Sequence, residues 1–190
     1  MKLGLGLYRH MLTKQNYQFA RQCGATHLVI HLVDYYKQGK NNPSDNQPTG
    51  GEEGWGLAGN PDTLWSLDEI LQIKKDVNEA GLELEAIENF DPAHWYDILL
   101  DGPRKAEQIE NVKTIIRTVG QAKIPILGYN FSIAGVCGRV TGPFARGGAM
   151  SVGLEGGDDS PIPEGMVWNM IYDTRVQDGV LPEISHEELW

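Results

Sequence analysis

The sequence contains few cysteines and few positive charges. Cys23 and Cys137 are the only cysteines in 190 residues, so there is no disulfide framework and no Cys-x-x-Cys pair. Lys and Arg number 16 against 26 Asp and Glu, which gives a formal net charge of −10 and a pI near 4.9. An acidic surface repels polyanions, so nucleic acid and anionic membrane surfaces are poor partners for this protein.

Long hydrophobic runs are also missing. No apolar stretch reaches the roughly 20 residues that a membrane-spanning helix needs. The apolar start, residues 1–7, is too short for a signal peptide and is ended by Tyr8-Arg9-His10. With 41% hydrophobic and 22% charged residues, the composition predicts a soluble cytoplasmic protein whose thiols are reduced.

Short apolar segments alternate with amphipathic ones along the first 131 residues. Strands are predicted at 3–8, 26–32, 82–88 and 124–131, and helices at 13–23, 66–79 and 104–122. Gly24 and Gly81 stand just past the first two helices, and Ser66 with Glu69 has the spacing of a capping box. This β/α alternation predicts a parallel sheet with right-handed crossovers.

The remaining sequence breaks this pattern. Residues 132–183 are rich in Gly and Pro, which is typical of a functional or disordered connection. Ser185 and Glu188 then repeat the capping-box spacing, and two residues, Leu189 and Trp190, follow them in the sequence. A complete β/α barrel needs about 250 residues. We therefore expect residues 1–190 to be a single domain, the N-terminal half of such a barrel, truncated at the start of its fourth helix. A small open, doubly wound sheet is the alternative.

Candidate site residues follow from the barrel rule that working groups lie at the C-terminal ends of strands and in the loops after them. The strand ends are Tyr8-Arg9-His10, His31, Glu88-Asn89 and Tyr129-Asn130-Phe131, with His94 in the third loop and Arg139 and Arg146 in the glycine-rich segment.

Each candidate also has a structural interpretation. His27 and His31 share one face of a strand, so a metal pair is conceivable; a structural histidine is favoured for His27, whereas both interpretations stay open for His31. Glu88 closes an apolar strand, where an unpaired carboxylate is costly, so it must meet a cation, a hydrogen-bond donor or water. His94 is either a site residue or part of an ordered loop.

The two arginines of the glycine-rich segment, Arg139 and Arg146, are either solvated charges or a clamp for the carboxylate of an anionic substrate. Cys137 is expected to be inert, because only Arg139 is near enough in the sequence to lower its pKa. No spacing of His, Cys and Glu in the chain is diagnostic of a metal site.

Three stretches of the sequence are more specific than general barrel patterns. They are residues 88–104, which begin ENFDPAHWYD, residues 129–136 with 142–148, and residues 165–170. They resemble mannonate dehydratases, and the resemblance spans essentially the whole chain. It implies a (β/α)8 TIM-barrel fold of the xylose-isomerase-like type, present here as roughly the first four β/α units. It also implies a hydro-lyase that converts D-mannonate to 2-dehydro-3-deoxy-D-gluconate and water in hexuronate (glucuronate) catabolism.

The resemblance further implies a sugar-acid substrate, Mn2+ or Fe2+ as cofactor, and a homo-oligomer for the full-length enzyme. Among this chain's residues, Glu88, His94, Tyr129, Asn130 and Arg139 are similar to the family's pocket-lining positions. His31 and Arg146 join this substrate-binding set because of their positions in the predicted fold.

Two departures from the family pattern affect these expectations. Val136-Cys137-Gly138-Arg139 stands where the enteric members have Asp-Trp-Thr-Arg, which bears on the role of Arg139. The family's metal ligands, two His, a Cys and an Asp, belong to the second half of the barrel and have no match before Trp190. Cys137 lies in the wrong loop to replace them. We therefore expect no metal bound to this chain, and no activity from it in isolation.

Two other functions compete with a mannonate dehydratase. One is another sugar or sugar-acid isomerase or epimerase built on the same kind of barrel. The other is a non-catalytic half-barrel that pairs with itself or with a second chain, since the sheet edge after the fourth strand would otherwise be exposed.

Overall fold

The computed structural model describes residues 1–33, 62–99, 101–130 and 139–154. The chain divides into two compact units, Met1–Asp34 with Gly59–Phe131 and Tyr35–Ala58 with Ser132–Trp190, and each is described by itself. The single domain expected from the sequence stays a prediction. The polar loop after the second strand and the helix start at Ser185 lie outside the described residues.

The first unit is built on a sheet of four parallel strands in the order β1-β2-β3-β4. The strands are β1 (Gly4–Leu7), β2 (His27–His31), β3 (Glu83–Glu88) and β4 (Ile126–Gly128). Each lies within the segment predicted for it, and β4 is shorter than predicted because its ladder with β3 spans three residue pairs. Parallel neighbours require long crossover connections, which the intervening segments supply.

In the described residues of this unit, four helices accompany the sheet: α1 (Lys14–Gln22), α2 (Leu67–Glu79), α3 (Tyr96–Leu99) and α4 (Lys105–Gln121). The predicted cap of α2 is confirmed, because the Ser66 hydroxyl accepts a hydrogen bond from the Glu69 backbone N–H at 3.1 Å. Gly24 and Gly81 end α1 and α2 with φ of 86° and 75°, a conformation that favours glycine. No helix in the described ranges is long and apolar enough to span a membrane.

The connection between β3 and β4 differs from its prediction. It contains a 3-10 turn at Pro92–His94 and the short helix α3, neither of which has a periodic signal in the sequence. Along α4, Ile115 and Val119 are buried whereas Ile116 is 49% exposed. Gln108 takes a fully buried position instead, since its amide bonds to the connection.

The described part of the second unit is an antiparallel hairpin that the sequence did not indicate. Its strands are β5 (Arg139–Gly142) and β6 (Ser151–Leu154), paired so that Gly142 faces Ser151. Strands of four residues leave little alternation to detect. The Phe144 ring lies so close to Gly142 and Gly153 that a Cβ atom at either position would meet it at 2.6 or 2.7 Å. Two glycines therefore make room for one aromatic ring.

The core of the first unit lies against one face of its sheet. Leu28 and Ile30 of β2 and Ile87 of β3 are fully buried, whereas the alternating positions His27 and Val29 are only half-buried. The helices contribute further fully buried side chains: Ile70, Val77 and Ile115. The alternation along β2 therefore separates a packed face from one that carries ionisable groups.

The central position of Ile30 makes it a sensitive reporter of this core. Ile30→Ala is expected to lower the free energy of unfolding by about 2–5 kcal/mol, because it removes buried methylene groups and leaves a cavity. Ile126→Ala is the matched control, since Ile126 is 49% exposed, and it should cost well under half as much. Urea denaturation followed by circular dichroism measures both, and equal losses would contradict the packing described here.

Candidate functional site at the carboxyl edge of the sheet

Strand register brings candidate residues together at the carboxyl ends of three neighbouring strands. His31, the last residue of β2, is in register with Glu88, the last residue of β3, and Glu88 is in register with Gly128, the last residue of β4. This edge is where β/α barrels hold their working groups. His31 and Glu88, chosen from the sequence because each ends a strand, are therefore neighbours across the ladder.

The two side chains form a close polar pair. His31 Nε2 lies 3.6 Å from Glu88 Oε2, which is longer than a good hydrogen bond but within the range of an ion pair when the imidazole is protonated. His31 is 8% exposed, whereas the Glu88 side chain is 48% exposed. The Tyr8 ring packs against His31 with centroids 5.1 Å apart. The imidazole is thus sheltered on one side, and the carboxylate faces solvent.

The protonation of His31 depends on two opposing effects. Burial lowers the pKa of His31, because a charged imidazolium loses hydration there, and the nearby Glu88 carboxylate raises that pKa in opposition. Burial is the larger effect, so the pKa lies below its ordinary value of 6.5. A neutral imidazole therefore faces the carboxylate at pH 7, and it can accept as well as donate a hydrogen bond.

The position of Glu88 is fixed by the backbone around it. Asn89 takes a left-handed conformation with φ of 66°, which turns the chain away directly after β3. Its N–H donates to the Gly128 carbonyl at 2.9 Å, so pairing with β4 continues through the turn. A Cβ atom at Gly128 would lie 3.5 Å from Glu88 Cγ, so an alanine there fits with ordinary contact but a longer side chain meets the carboxylate stem.

His94, the next candidate, is held in the 3-10 turn that follows β3. It is 2% exposed, and its backbone N–H donates to the Asp91 carbonyl at 2.9 Å. The Asp91 carboxylate caps the turn by accepting from the Ala93 N–H, also at 2.9 Å. Trp95 follows, and its indole N–H donates to the Phe90 carbonyl at 3.2 Å. The loop is therefore ordered and buried, rather than a solvated surface segment.

One buried amide attaches this loop to α4. Gln108 accepts a hydrogen bond from the Asp97 backbone N–H at 2.8 Å and donates to the Ala93 carbonyl at 3.2 Å. The Asp97 carboxylate in turn accepts from the Arg104 backbone N–H at 2.8 Å, next to the start of α4. Gln108 is thus a positioning residue for the turn that carries His94.

The remaining candidates occupy two different units. Tyr129 and Asn130 directly follow β4 and are exposed, with Tyr129 at 71%. Arg139 begins β5, and Arg146 begins an exposed 3-10 turn between β5 and β6. Both arginines belong to the second unit and are placed only within it. A carboxylate clamp formed by them stays a prediction.

The end of β1 combines a structural residue with one that the sequence analysis names as a strand-end candidate but leaves out of the substrate-binding set. Arg9 donates to the Leu32 carbonyl at 2.8 Å and forms an ion pair with Glu69 at 3.0 Å, so it joins the ends of β1 and β2 to the start of α2. Tyr8 belongs to the site through its contact with His31. Its position at a strand end was the available signal, although residue type alone gave it no role.

The described carboxyl edge does not by itself provide a manganese or iron site. Among residues 1–33, 62–99, 101–130 and 139–154, one group of three possible ligands is found, and it consists of His27, Glu83 and Glu85. These residues belong to the opposite half of the strands. A catalytic metal site ordinarily takes three protein ligands, whereas His31 and Glu88 supply two donors.

Comparisons with known proteins agree with the parallel β/α arrangement. A structure of mannonate dehydratase from Streptococcus suis serotype2 superimposes with a TM-score of 0.55 at 24% sequence identity, over 100% of this chain and 46% of that chain. At that identity the likeness concerns the fold. The class is therefore a β/α barrel of the TIM type, present here as its first β/α units, and the fold class expected from the sequence is confirmed.

The sequence comparisons are more specific. The family model of D-mannonate dehydratase (UxuA) matches residues 20–140, well over half of the chain. The chain belongs to the D-mannonate dehydratase family. A mannonate dehydratase of Streptococcus pneumoniae is 51% identical over 67 residues, 35% of this chain and 18% of the relative. One of Thermotoga petrophila is 40% identical over 68 residues, again 18% of its length. The chain thus covers less than half of the S. suis protein, and these alignments cover less than a fifth of the relatives.

The pairing of His31 with Glu88 can be tested by NMR titration of the His31 ring. Glu88→Gln removes the charge that raises the pKa of His31, so that pKa should fall further. Glu110→Gln on the surface of α4 is the control and should leave the His31 titration unchanged. An unaltered His31 pKa in the Glu88 variant would show that the pair does not interact in solution.

The same titration implies a dependence of stability on pH. Because the folded-state pKa of His31 lies below 6.5, the unfolded chain takes up this proton first as the pH falls. The stability that neutral His31 contributes is therefore complete above about pH 6.5 and is lost progressively below it. Below about pH 6.5, the free energy of unfolding should fall more steeply with decreasing pH for the unchanged chain than for His31→Gln. Denaturation curves recorded at several pH values measure this difference, and an equal pH dependence of the two proteins would contradict this assignment.

Gln108 provides a test of how the His94 turn is held. Gln108→Leu keeps the volume of the side chain but leaves the Asp97 N–H and the Ala93 carbonyl without this partner, at an expected cost of about 1–3 kcal/mol in the free energy of unfolding. The matched control is Gln72→Leu on the exposed face of α2. Chemical denaturation measures the stability, and a shift of the His94 ring resonances in the Gln108 variant alone is expected.

Proposed function

We propose that this chain carries the substrate-facing, carboxyl-edge part of a mannonate dehydratase. The observation that carries the proposal is the His31–Glu88 pair, set by strand register at the edge where β/α barrels place their sites. Both residues fall inside the 20–140 segment that matches the family model. The reaction proposed is conversion of D-mannonate to 2-dehydro-3-deoxy-D-gluconate and water.

The chemistry of that reaction defines what the site must provide. A base removes the proton from the carbon next to the carboxylate, and the electron pair left behind forms a double bond to the neighbouring carbon. The hydroxyl on that neighbour leaves with a proton as water, and the resulting enol becomes the keto acid. The needed groups are a proton acceptor, a proton donor and partners for several hydroxyls.

The described side chains suit the hydroxyl-binding part of this task. The neutral imidazole of His31 can accept or donate a hydrogen bond, and Glu88, half-exposed beside it, accepts from hydroxyl groups. A carboxylate at this position repels the carboxylate of a sugar acid, so we propose that Glu88 faces the hydroxyl-bearing end of the substrate. Tyr129 and Asn130, exposed directly after β4, add hydrogen-bonding groups at the same edge.

The other end of the substrate requires positive charge. We propose that Arg139 and Arg146 bind the substrate carboxylate, because a forked guanidinium matches that group and the chain is acidic as a whole. His94, buried and held by its turn, completes the proposed substrate-binding set. Mn2+ or Fe2+, a homo-oligomer, a cytoplasmic location and a role in glucuronate breakdown remain proposals for proteins of full family length.

Ligand binding by the 190-residue chain tests the proposal most directly. D-mannonate should shift the NMR resonances of His31, with little effect on His27 at the other end of the same strand. Glu88→Gln should weaken binding by about tenfold, the effect of losing one charge-assisted hydrogen bond. Glu79→Gln, on the exposed end of α2, is the matched control and should bind normally.

An activity assay complements the binding measurement. The isolated chain with D-mannonate and Mn2+ is expected to form no keto acid, because the family's ligand motif has no match in its sequence. Measurable turnover would show that residues of this chain can hold the catalytic metal, which contradicts the expectation that none of them does. The proposed substrate site would be contradicted if D-mannonate bound without shifting the His31 resonances, or if Glu88→Gln left the affinity unchanged.

A further inference from the structure

A second cluster of ionisable groups lies far from the carboxyl edge. His27, Glu83 and Glu85 belong to the amino-terminal parts of β2 and β3, and His27 is in register with Glu83. His27 Nε2 lies 3.3 Å from Glu83 Oε2 and 3.7 Å from Glu85 Oε2. The irregularity in the β2–β3 ladder after Leu28 and Leu84 makes room for Glu85 as an extra residue on β3.

Geometry makes this cluster suitable for a small divalent cation. One ligand atom from each residue can be chosen so that all three lie within 4.8 Å of one another. Bonds of about 2.0–2.2 Å from zinc to nitrogen and oxygen place two tetrahedral ligand atoms about 3.4 Å apart. The separations of 3.3 and 3.7 Å are close to that value, so zinc fits with small adjustments.

The second ring nitrogen of His27 is also bound. Thr26 Oγ1 lies 2.7 Å from His27 Nδ1, and the same hydroxyl reaches the Leu3 carbonyl at 3.3 Å. When the hydroxyl donates to Leu3, its oxygen accepts from the Nδ1–H of His27. In that tautomer the lone pair of Nε2 lies on the side of the two carboxylates, so a cation bound between the three groups is favoured. Metal-binding histidines are oriented in this way by a hydrogen bond on the other nitrogen.

Burial and nearby charge distinguish this cluster from a solvated acidic patch. The His27 side chain is 13% exposed and the Glu85 side chain 18%, whereas Glu83 is 76% exposed and open to an entering ion. Glu85 uses its other oxygen for an ion pair with Lys2 at 2.6 Å. That ammonium group orients Glu85 but also weakens the local negative potential.

We propose that His27, Glu83 and Glu85 form a structural binding site for a divalent cation of the zinc type. One imidazole and two carboxylates leave a fourth position for water. The site lies away from the edge that carries His31 and Glu88, and in β/α barrels the amino-terminal end of the sheet serves stability rather than catalysis. Bound zinc connects the amino-terminal ends of β2 and β3, because His27 belongs to β2 and both carboxylates belong to β3.

Zinc titration of the 190-residue chain, by calorimetry and by competition with a chromophoric chelator, tests the proposal. One Zn2+ per chain is expected, with a rise in the melting temperature. Glu83→Gln and His27→Gln should each weaken this binding at least tenfold. Because Glu83 is mostly exposed, its variant stays folded even if the histidine variant does not. Lys2→Met should tighten binding, since it removes the competing ammonium.

Controls separate this site from other zinc-binding groups. His31→Gln at the carboxyl edge and Cys23→Ser, which removes an exposed free thiol, should leave the zinc affinity unchanged. In NMR, the resonances of the His27 ring should shift when zinc is added, whereas those of the His31 ring should not. Zinc binding that survives Glu83→Gln would overturn the proposal. The absence of zinc binding would also overturn it. In that case the His27 ring is expected to be protonated on Nε2, where it donates to Glu83, and to accept a hydrogen bond from Thr26 on Nδ1.

Discussion

The parallel register of β2, β3 and β4 is the constraint on which the candidate site depends. Register places His31, Glu88 and Gly128 side by side, although they are separated in the sequence by 57 and 40 positions. A slip of one residue would move Glu88 to the packed face, where Ile87 now lies. The fully buried Ile30 and Ile87, one residue before the site residues, stabilise this register by packing. The chemistry of the edge is therefore a consequence of hydrophobic packing one residue away.

Much of this arrangement could be predicted from the sequence because the signals are local. The apolar run through β2, the Ser66 cap and the glycines after α1 and α2 each specify an element with a physical reason. The strand ends then indicate His31 and Glu88 through the barrel rule. The family resemblance, carried by the ENFDPAHWYD segment, is confirmed by the match over residues 20–140.

Other features depend on tertiary contacts that no local pattern encodes. The burial of Gln108 follows from its bonds to Asp97 and Ala93, and a polar residue in a helix gives no such signal. The short helix α3 and the hairpin of β5 and β6 are too brief for periodicity to show. The proximity of Glu85 to His27 results from an irregularity in the ladder, which alternation alone cannot reveal.

The turn at Asn89 joins two parts of the candidate site that are held in different ways. Its N–H continues the pairing with β4, while its left-handed backbone directs the chain out of the sheet. The segment after Asn89 is held by other contacts, the Asp91 carboxylate that caps its 3-10 turn and the Gln108 amide from α4. Strand pairing therefore positions Glu88, whereas loop and helix contacts position His94. Asn89 thus marks the boundary between two parts of the candidate site that depend on different sets of bonds.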